Sequence, residues 1–270
     1  MTLSLTPIGD ALPPNVREYF TALDAGHADE AAACFAPDCR YALPPPGGHE
    51  TDPRIETVGA DALRVRLRER GRRPWRHEVR LCVHDGADGF VEGVLADDTD
   101  TSRAAFAAGF RLDADGRIDR YLAYVTDDVP DPIPTDVPDD QRPAGAREVL
   151  DRYFEALDDG RFDAAAACFS DDTMYSHPPY RHTGIVDRGR VVFRGREQLA
   201  AKFRERGKTA FDHEVLVAVQ RGPHSIVEGI VRGLPDGGDG SFLSSLSLAA
   251  DGTIRRYVSF YCEPAVRRTT

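Results

Sequence analysis

The sequence predicts an α+β protein built as two similar domains in tandem, and three observations carry that expectation. First, the second half repeats the first. Tyr19-Phe20 recurs as Tyr153-Phe154, 134 residues on, and Cys34-Phe35 recurs as Cys168-Phe169. Beyond a proline cluster the offset becomes 136: Arg68-Glu-Arg-Gly71 returns as Arg204-Glu-Arg-Gly207, and Val91-Glu-Gly93 as Val227-Glu-Gly229. Matches this dense at a domain-sized period mark a duplicated unit and not a solenoid. Second, each half runs from helical to strand-like patterns, the order of an α+β layout. Third, the stretch from Asp127 to Ala146 holds five prolines, which suits a stiff, exposed linker. The expected organisation is a first domain over 12–128, a linker over 129–142 and a second domain over 143–268.

The elements follow in order. Val16, Tyr19, Phe20 and Leu23 keep the i, i+3, i+4, i+7 spacing of an amphipathic helix, and Leu150, Tyr153, Phe154 and Leu157 nearly repeat it. Asp24 to Gly26 and Asp158 to Gly160 read as breaks before a second, alanine-rich helix, such as Phe162 to Phe169. A short strand then reaches prolines, as Cys39-Arg-Tyr-Ala-Leu-Pro-Pro-Pro46 and as Asp172-Thr-Met-Tyr-Ser-His-Pro-Pro-Tyr180. A third helix, about Gly59 to Arg70 or Gly195 to Arg206, stops at a glycine. Strands follow at Trp75 to Val83, Phe90 to Leu95, Ala104 to Leu112 and Ile118 to Val125, joined by polar, Gly-containing turns.

Composition narrows the classes of function. The 270 residues are 41% hydrophobic and 29% charged, which fits a folded globular chain. A net charge of −11 argues against nucleic acid or anionic membranes as partners. No run approaches the ~18 apolar residues of a membrane span, and the start lacks a signal-peptide pattern. The five cysteines form no Cys-x-x-Cys pair, so small buried thiols in a reducing, cytoplasmic setting are expected.

His177 is the most suggestive residue for chemistry. It stands before Pro178 and Pro179, where the first copy has Leu43. A histidine can move a proton near neutral pH and a leucine cannot; a surface histidine in a turn is the alternative. Tyr175 shares its strand face, with packing as its plainer role because Tyr41 repeats it. Glu228 lies between Ile226 and Ile230 on one strand face, where burial would raise its pKa; a structural carboxylate is the alternative, since Glu92 repeats it. His213 shares a face with Phe211, Val215, Val217 and Val219. A hairpin through Gly222-Pro223 sets Val217 opposite Glu228, so His213 and Glu228 would line one pocket about 13 Å apart at ~3.3 Å per residue. Glu197 reads as a helix cap. No metal site is expected, because His177 and His182 flank Pro-Pro-Tyr-Arg and no third ligand is spaced to help. The basic run from Arg64 to Arg76 reads as a solvated helix face, with docking of an anionic partner as the alternative.

These motifs together resemble the nuclear-transport-factor-2-like, or SnoaL-like, superfamily. The resemblance rests on Tyr-Phe-x-Ala-Leu-Asp, on Ala-Cys-Phe before an acidic turn, and on the aromatic strand reaching a proline. Gly195-Arg-Glu-x-Leu199, His-Glu-Val, Val-Glu-Gly and Asp-Gly-x-Ile-x-Arg-Tyr extend it over nearly the whole chain, twice. It implies two cone-shaped domains, each a curved, mostly antiparallel sheet wrapped around about three helices, with a pocket at the wide end. It also implies an internal pseudo-dimer, the tandem chain being a monomer or a dimer. In ketosteroid isomerase of that superfamily a catalytic aspartate precedes a proline at the end of the first short strand, and His177-Pro178 matches that position. The implied function is acid–base catalysis without a cofactor on a small apolar, oxygenated substrate in the second domain: isomerisation, dehydration, cyclisation or epoxide opening. Its residues would be His177, Glu228 and His213, with Tyr175, Tyr180, Phe211 and Tyr257 binding substrate. The alternative is a non-catalytic module that binds a small molecule or peptide.

Overall fold

The computed structural model describes residues 7–44, 53–97, 99, 101–135, 145–178, 190–235, 237–263 and 265–266. The chain divides into two compact units, the first ending at Val129 and the second taking up from Pro130. The first unit contains β1 (Ile8–Gly9), α1 (Pro14–Ala25), α2 (Ala28–Ala33), β2 (Phe35–Leu43), β3 (Ile55–Val58), α3 (Ala60–Arg70), β4 (Trp75–His84), β5 (Asp88–Asp97), β6 (Ser102–Leu112) and β7 (Ile118–Thr126). The second contains α4 (Ala146–Asp158), α5 (Phe162–Ala166), β8 (Phe169–His177), β9 (Val191–Arg194), α6 (Arg196–Arg206), β10 (Asp212–Arg221), β11 (His224–Arg232), β12 (Gly240–Leu248) and β13 (Ile254–Cys262). The class is the expected α+β. Each unit has three helices and one curved, open sheet, in the order β1-β4-β5-β6-β7-β2-β3 or β10-β11-β12-β13-β8-β9.

Local chemistry explains the elements. Pro14 sits in the first turn of α1, where its missing N–H costs nothing. Gly26 ends α1 with φ 81° and Gly160 follows α4 with φ 78°. Only glycine takes that left-handed turn without strain, and it lets His27 and Arg161 return N–H groups to Ala22 and Ala156 at 2.8 Å. The apolar stripes of α1 and α4 then enter a core with one face of each sheet: Tyr19 and Phe20 against Phe106 and Tyr121 in the first unit, Tyr153 and Phe154 against Phe242 and Tyr257 in the second.

Three findings differ from the sequence reading. The strand β1 was not expected; it pairs parallel with β4 at Leu81 and Cys82, so the first unit begins before residue 12. Asp10 anchors it, bonding the Cys82 carbonyl through its N–H at 2.8 Å and accepting from the His84 N–H at 2.9 Å. The stretch expected as an exposed linker is partly packed. Ile133 is 7% exposed and Arg256 donates to the Asp131 carbonyl at 3.1 Å, so an apolar side chain within the proline run found a surface to cover.

The third difference lies in β10. Its pairing with β11 slips between Val215, opposite Gly229, and Val217, opposite Glu228, leaving Leu216 as the extra residue of a β-bulge. The same slip occurs between Val79 and Leu81 in β4. An extra residue reverses the face of everything beyond it, because side chains alternate with period two. Val215 and Val231 therefore face the helices, whereas Val217, Glu228 and Leu243 face the other side. The glycine opposite each bulge is required. A Cβ on Gly93 would run into the Glu78 carbonyl oxygen and the Phe106 ring, and one on Gly229 into the Glu214 carbonyl oxygen and the Phe242 ring.

Candidate active site

Each unit carries three core tyrosines. In the first unit the hydroxyls of Tyr19 and Tyr41 are 2.7 Å apart, and the Tyr41 and Tyr121 rings stack at 5.3 Å. In the second, Tyr153 and Tyr175 are 3.3 Å apart at their hydroxyls, and Tyr175 and Tyr257 stack at 5.0 Å. Burial pushes the hydroxyls of Tyr19, Tyr41 and Tyr121 up, so they stay protonated.

Each unit also ties its first helix to its sheet through an aspartate and a histidine. Asp24 accepts from the His77 backbone N–H at 2.8 Å and lies 2.6 Å from His77 Nδ1; Asp158 does the same for His213, at 2.8 and 2.7 Å. A carboxylate in the last turn of a helix opposes the helix dipole, so its place there reflects these two bonds. The carboxylate oxygen only accepts, so Nδ1 of each histidine carries the hydrogen of this bond. His213 also stacks on Phe154 at 4.6 Å and meets the edge of Phe211 at 5.6 Å.

The two units part at the end of the first long strand. In β2 the residue two past Tyr41 is Leu43, packed against the core. In β8 it is His177, half-buried, its ring parallel to Tyr175 at 6.2 Å. Nδ1 of His177 lies 2.6 Å from the Pro178 carbonyl; a carbonyl only accepts, so Nδ1 carries the hydrogen and Nε2 the lone pair. Burial pushes the His177 pKa down to about 3; the bond to Pro178 works against this, while Arg190, Arg206 and His213 add to it through charge. The ring is therefore neutral across the physiological range. Arg206, at the end of α6, lies over Phe211 at 5.3 Å and donates to Thr209 at 3.1 Å.

The structure thus brings His177, Tyr175 and Tyr257 together, and sets His213 with Phe211 on the same helix-facing side of the sheet, at its β10 edge. It does not bring Glu228 to them. Glu228 is 2% exposed and sits beyond the bulge on the opposite face, so the expectation that it shares a pocket with His213 fails by one inserted residue. Tyr180 lies outside the described residues, as does His182. Two contributors were missed. Asp158 was legible as an acidic residue in an unfavourable helix position, twice repeated. Arg206 was legible as a cation on the stripe of Leu199 and Phe203. Among the described residues no group of three His, Cys, Asp or Glu side chains is placed to hold a metal. A shallow surface depression lined by Arg161, Phe162, Asp163 and Arg204 holds none of these groups.

Residues 16–121 and 150–257 each match the SnoaL-like domain. A search for curated relatives finds no match. Among solved structures, the chain is similar to a candidate ketosteroid isomerase from Kribbella flavida DSM 17836 (19% identity, 46% of this chain and 82% of that one, TM-score 0.35). It is also similar to an LEH-like epoxide hydrolase of M. tuberculosis (18%, 42% and 80%, 0.34). A third is a protein of unknown function with a cystatin-like fold from Methylobium petroleophilum PM1 (18%, 46% and 77%, 0.35). At these identities and scores the likenesses say nothing about the chemistry of this chain.

Proposed function

The chain belongs to the SnoaL-like domain family in both of its halves, and from that premise we propose that its second unit is an acid–base site for a small oxygenated molecule. His177 is the proton-transfer group. The observation that supports this is the fixed tautomer: Pro178 holds Nδ1–H, so Nε2 presents a lone pair from the face that carries Tyr175 and Tyr257. In the resting site Arg190 and Arg206 oppose a second proton on the ring. An oxyanion forming beside Arg206 offsets that charge, so the ring gains basicity as the substrate becomes negative. His213, oriented by Asp158, serves as the second proton carrier. Isomerisation, dehydration, cyclisation and epoxide opening all move a proton at carbon or oxygen, and this set of groups suits each of them.

The test is a substrate panel covering enone isomerisation, β-hydroxyketone dehydration and epoxide hydrolysis, run on the native protein and on His177→Leu. That substitution copies Leu43, so it keeps the fold. We expect turnover of at least one class, with a rate loss of about 10²–10⁴ in the variant. Equal rates in the two proteins would overturn the role of His177. Saturable binding without turnover across the panel would reduce the unit to a binding module.

A further inference from the structure

Asp131 ties the start of the second unit to two of its strands. Arg194 of β9 grips the Asp131 carboxylate with both terminal nitrogens, Nη2 lying 3.0 Å from Oδ1. Arg256 of β13 donates to the Asp131 backbone carbonyl at 3.1 Å. Arg256 is 2% exposed and also donates to Ser245 Oγ at 3.2 Å, so its place is fixed. Strand register sets the geometry. Met174 of β8 lies opposite Arg256 on one side and opposite Arg194 on the other. Residues opposite one another on neighbouring strands share a face, and Met174 alternates with the helix-facing Tyr175. Asp131 therefore bridges the two arginines across β8, on the face turned away from the helices. The first unit has the same row as Arg120, Arg40 and Val58, and a valine cannot grip a carboxylate.

The strand β9 depends on such a hold. It has four residues, and among the described residues it is the edge of its sheet, paired with β8. At its start Arg190 donates to Ser176 Oγ at 2.8 Å and to the Ser259 carbonyl. Arg54 repeats that tie before β3, donating to the Ala123 carbonyl at 3.0 Å, so it belongs to the fold of both copies. The tie at the other end, through Arg194, came with the replacement of valine by arginine. Next to Arg194, Phe193 turns to the helix side and meets the Tyr175 ring at 6.3 Å, and Tyr175 lies parallel to the His177 ring.

We propose that Asp131 and Arg194 are positioning residues for His177. Their ion pair keeps β9 against β8 and Phe193 against Tyr175, and so keeps the His177 ring in the orientation that bonds the Pro178 carbonyl. The role rests on the acid–base reading of His177. The side chains of Arg194 and Asp131 are 63% and 40% exposed, so the hold is modest and sensitive to salt.

Asp131→Asn keeps the carbonyl bond to Arg256 and removes the charge, and Arg194→Val copies Val58. In the full chain each should speed deuterium uptake across 191–194 by up to about fivefold, the ceiling for one exposed ion pair. Uptake across 55–58 in the first unit should stay unchanged, as the internal control. On protein labelled with 15N in its histidine rings, the Nδ1–H signature of His177 should fade toward exchange between tautomers in both variants. Asp131→Glu, which keeps the carboxylate, should retain it. The double variant should match either single one, since the same contact is lost. Far-UV circular dichroism checks the fold, and if Asp131→Asn fails to fold, Arg194→Val carries the test. Faster uptake across 191–194 with an unchanged His177 signal would make the tie purely structural and overturn the proposal. So would native uptake in the single variants, or effects that add in the double variant. None of these readouts uses a substrate: a native protein that turns nothing over would sink the acid–base reading and leave them untouched.

Discussion

Leu43 and His177 stand at the same step of the same strand, two residues past stacked tyrosines of nearly identical geometry. Around them the two units agree: the Asp–His tie, the bulge with its facing glycine, and the left-handed glycine after the first helix all occur twice. What recurs holds the fold in both copies, and what differs is free to carry separate roles. By that rule His213 is first a structural residue, since His77 repeats it. His177, where the first copy has Leu43, is a mark of divergence.

The comparison is open to test. The largest effect belongs to the shared bulge. Gly93→Ala and Gly229→Ala each drive a Cβ into backbone and ring, so each should cost about 3 kcal/mol, measured as lowered melting of its own unit. A clear inequality would mean that the two bulges are not equivalent. Next come the ties. Asp24→Asn and Asp158→Asn should each cost about 2 kcal/mol, the scale of a charge-assisted bond in a half-buried place. Only Asp158→Asn should also slow turnover; if neither does, His213 is structural in both units.

The smallest effect isolates His177. Its pKa is about 3 in the native protein against an ordinary 6.5. Below pH 6.5 the unfolded chain takes up a proton that the native ring refuses, so stability falls as pH drops from about 6.5 toward about 3. Above 6.5 the ring carries the same charge in both states and contributes no such dependence. His177→Leu removes the effect. Relative to the variant, the native protein should lose at most about 1.4 kcal/mol at pH 5.5, one unit below the ordinary value. Denaturation curves of the two proteins that run parallel between pH 7 and 4 would show that the ring is solvated.

Much of this was legible in the residues alone. The duplication, the helix–helix–strand order and the third helix from Gly59 to Arg70 follow from local spacing and turn chemistry; the structure returns the third helix within a residue, while the alanine-rich helix stops early at Ala166 and the strand after it begins already at Phe35 or Phe169. Tyr175 and His177 sharing a face needed only the alternation of an undisturbed strand. By contrast, Ile8–Gly9 was too short to show a pattern, and its partner Leu81–Cys82 lies more than seventy residues away.

The sequence by itself determined the two-copy α+β plan, and with it the exchange of Leu43 for His177 between the copies, because both are matters of periodicity and direct comparison along the chain. Only the tertiary structure decided which side chains meet. The bulge at Leu216 is invisible in the alternation Phe211, His213, Val215, Val217, yet it turns Glu228 away from His213. The grip of Asp158 on His213 and the pairing of Arg68 with Asp29 likewise depend on what approaches from other elements. The physical reason is the same in each case. A strand's period is local, whereas register, partners and burial are set by the surfaces it packs against.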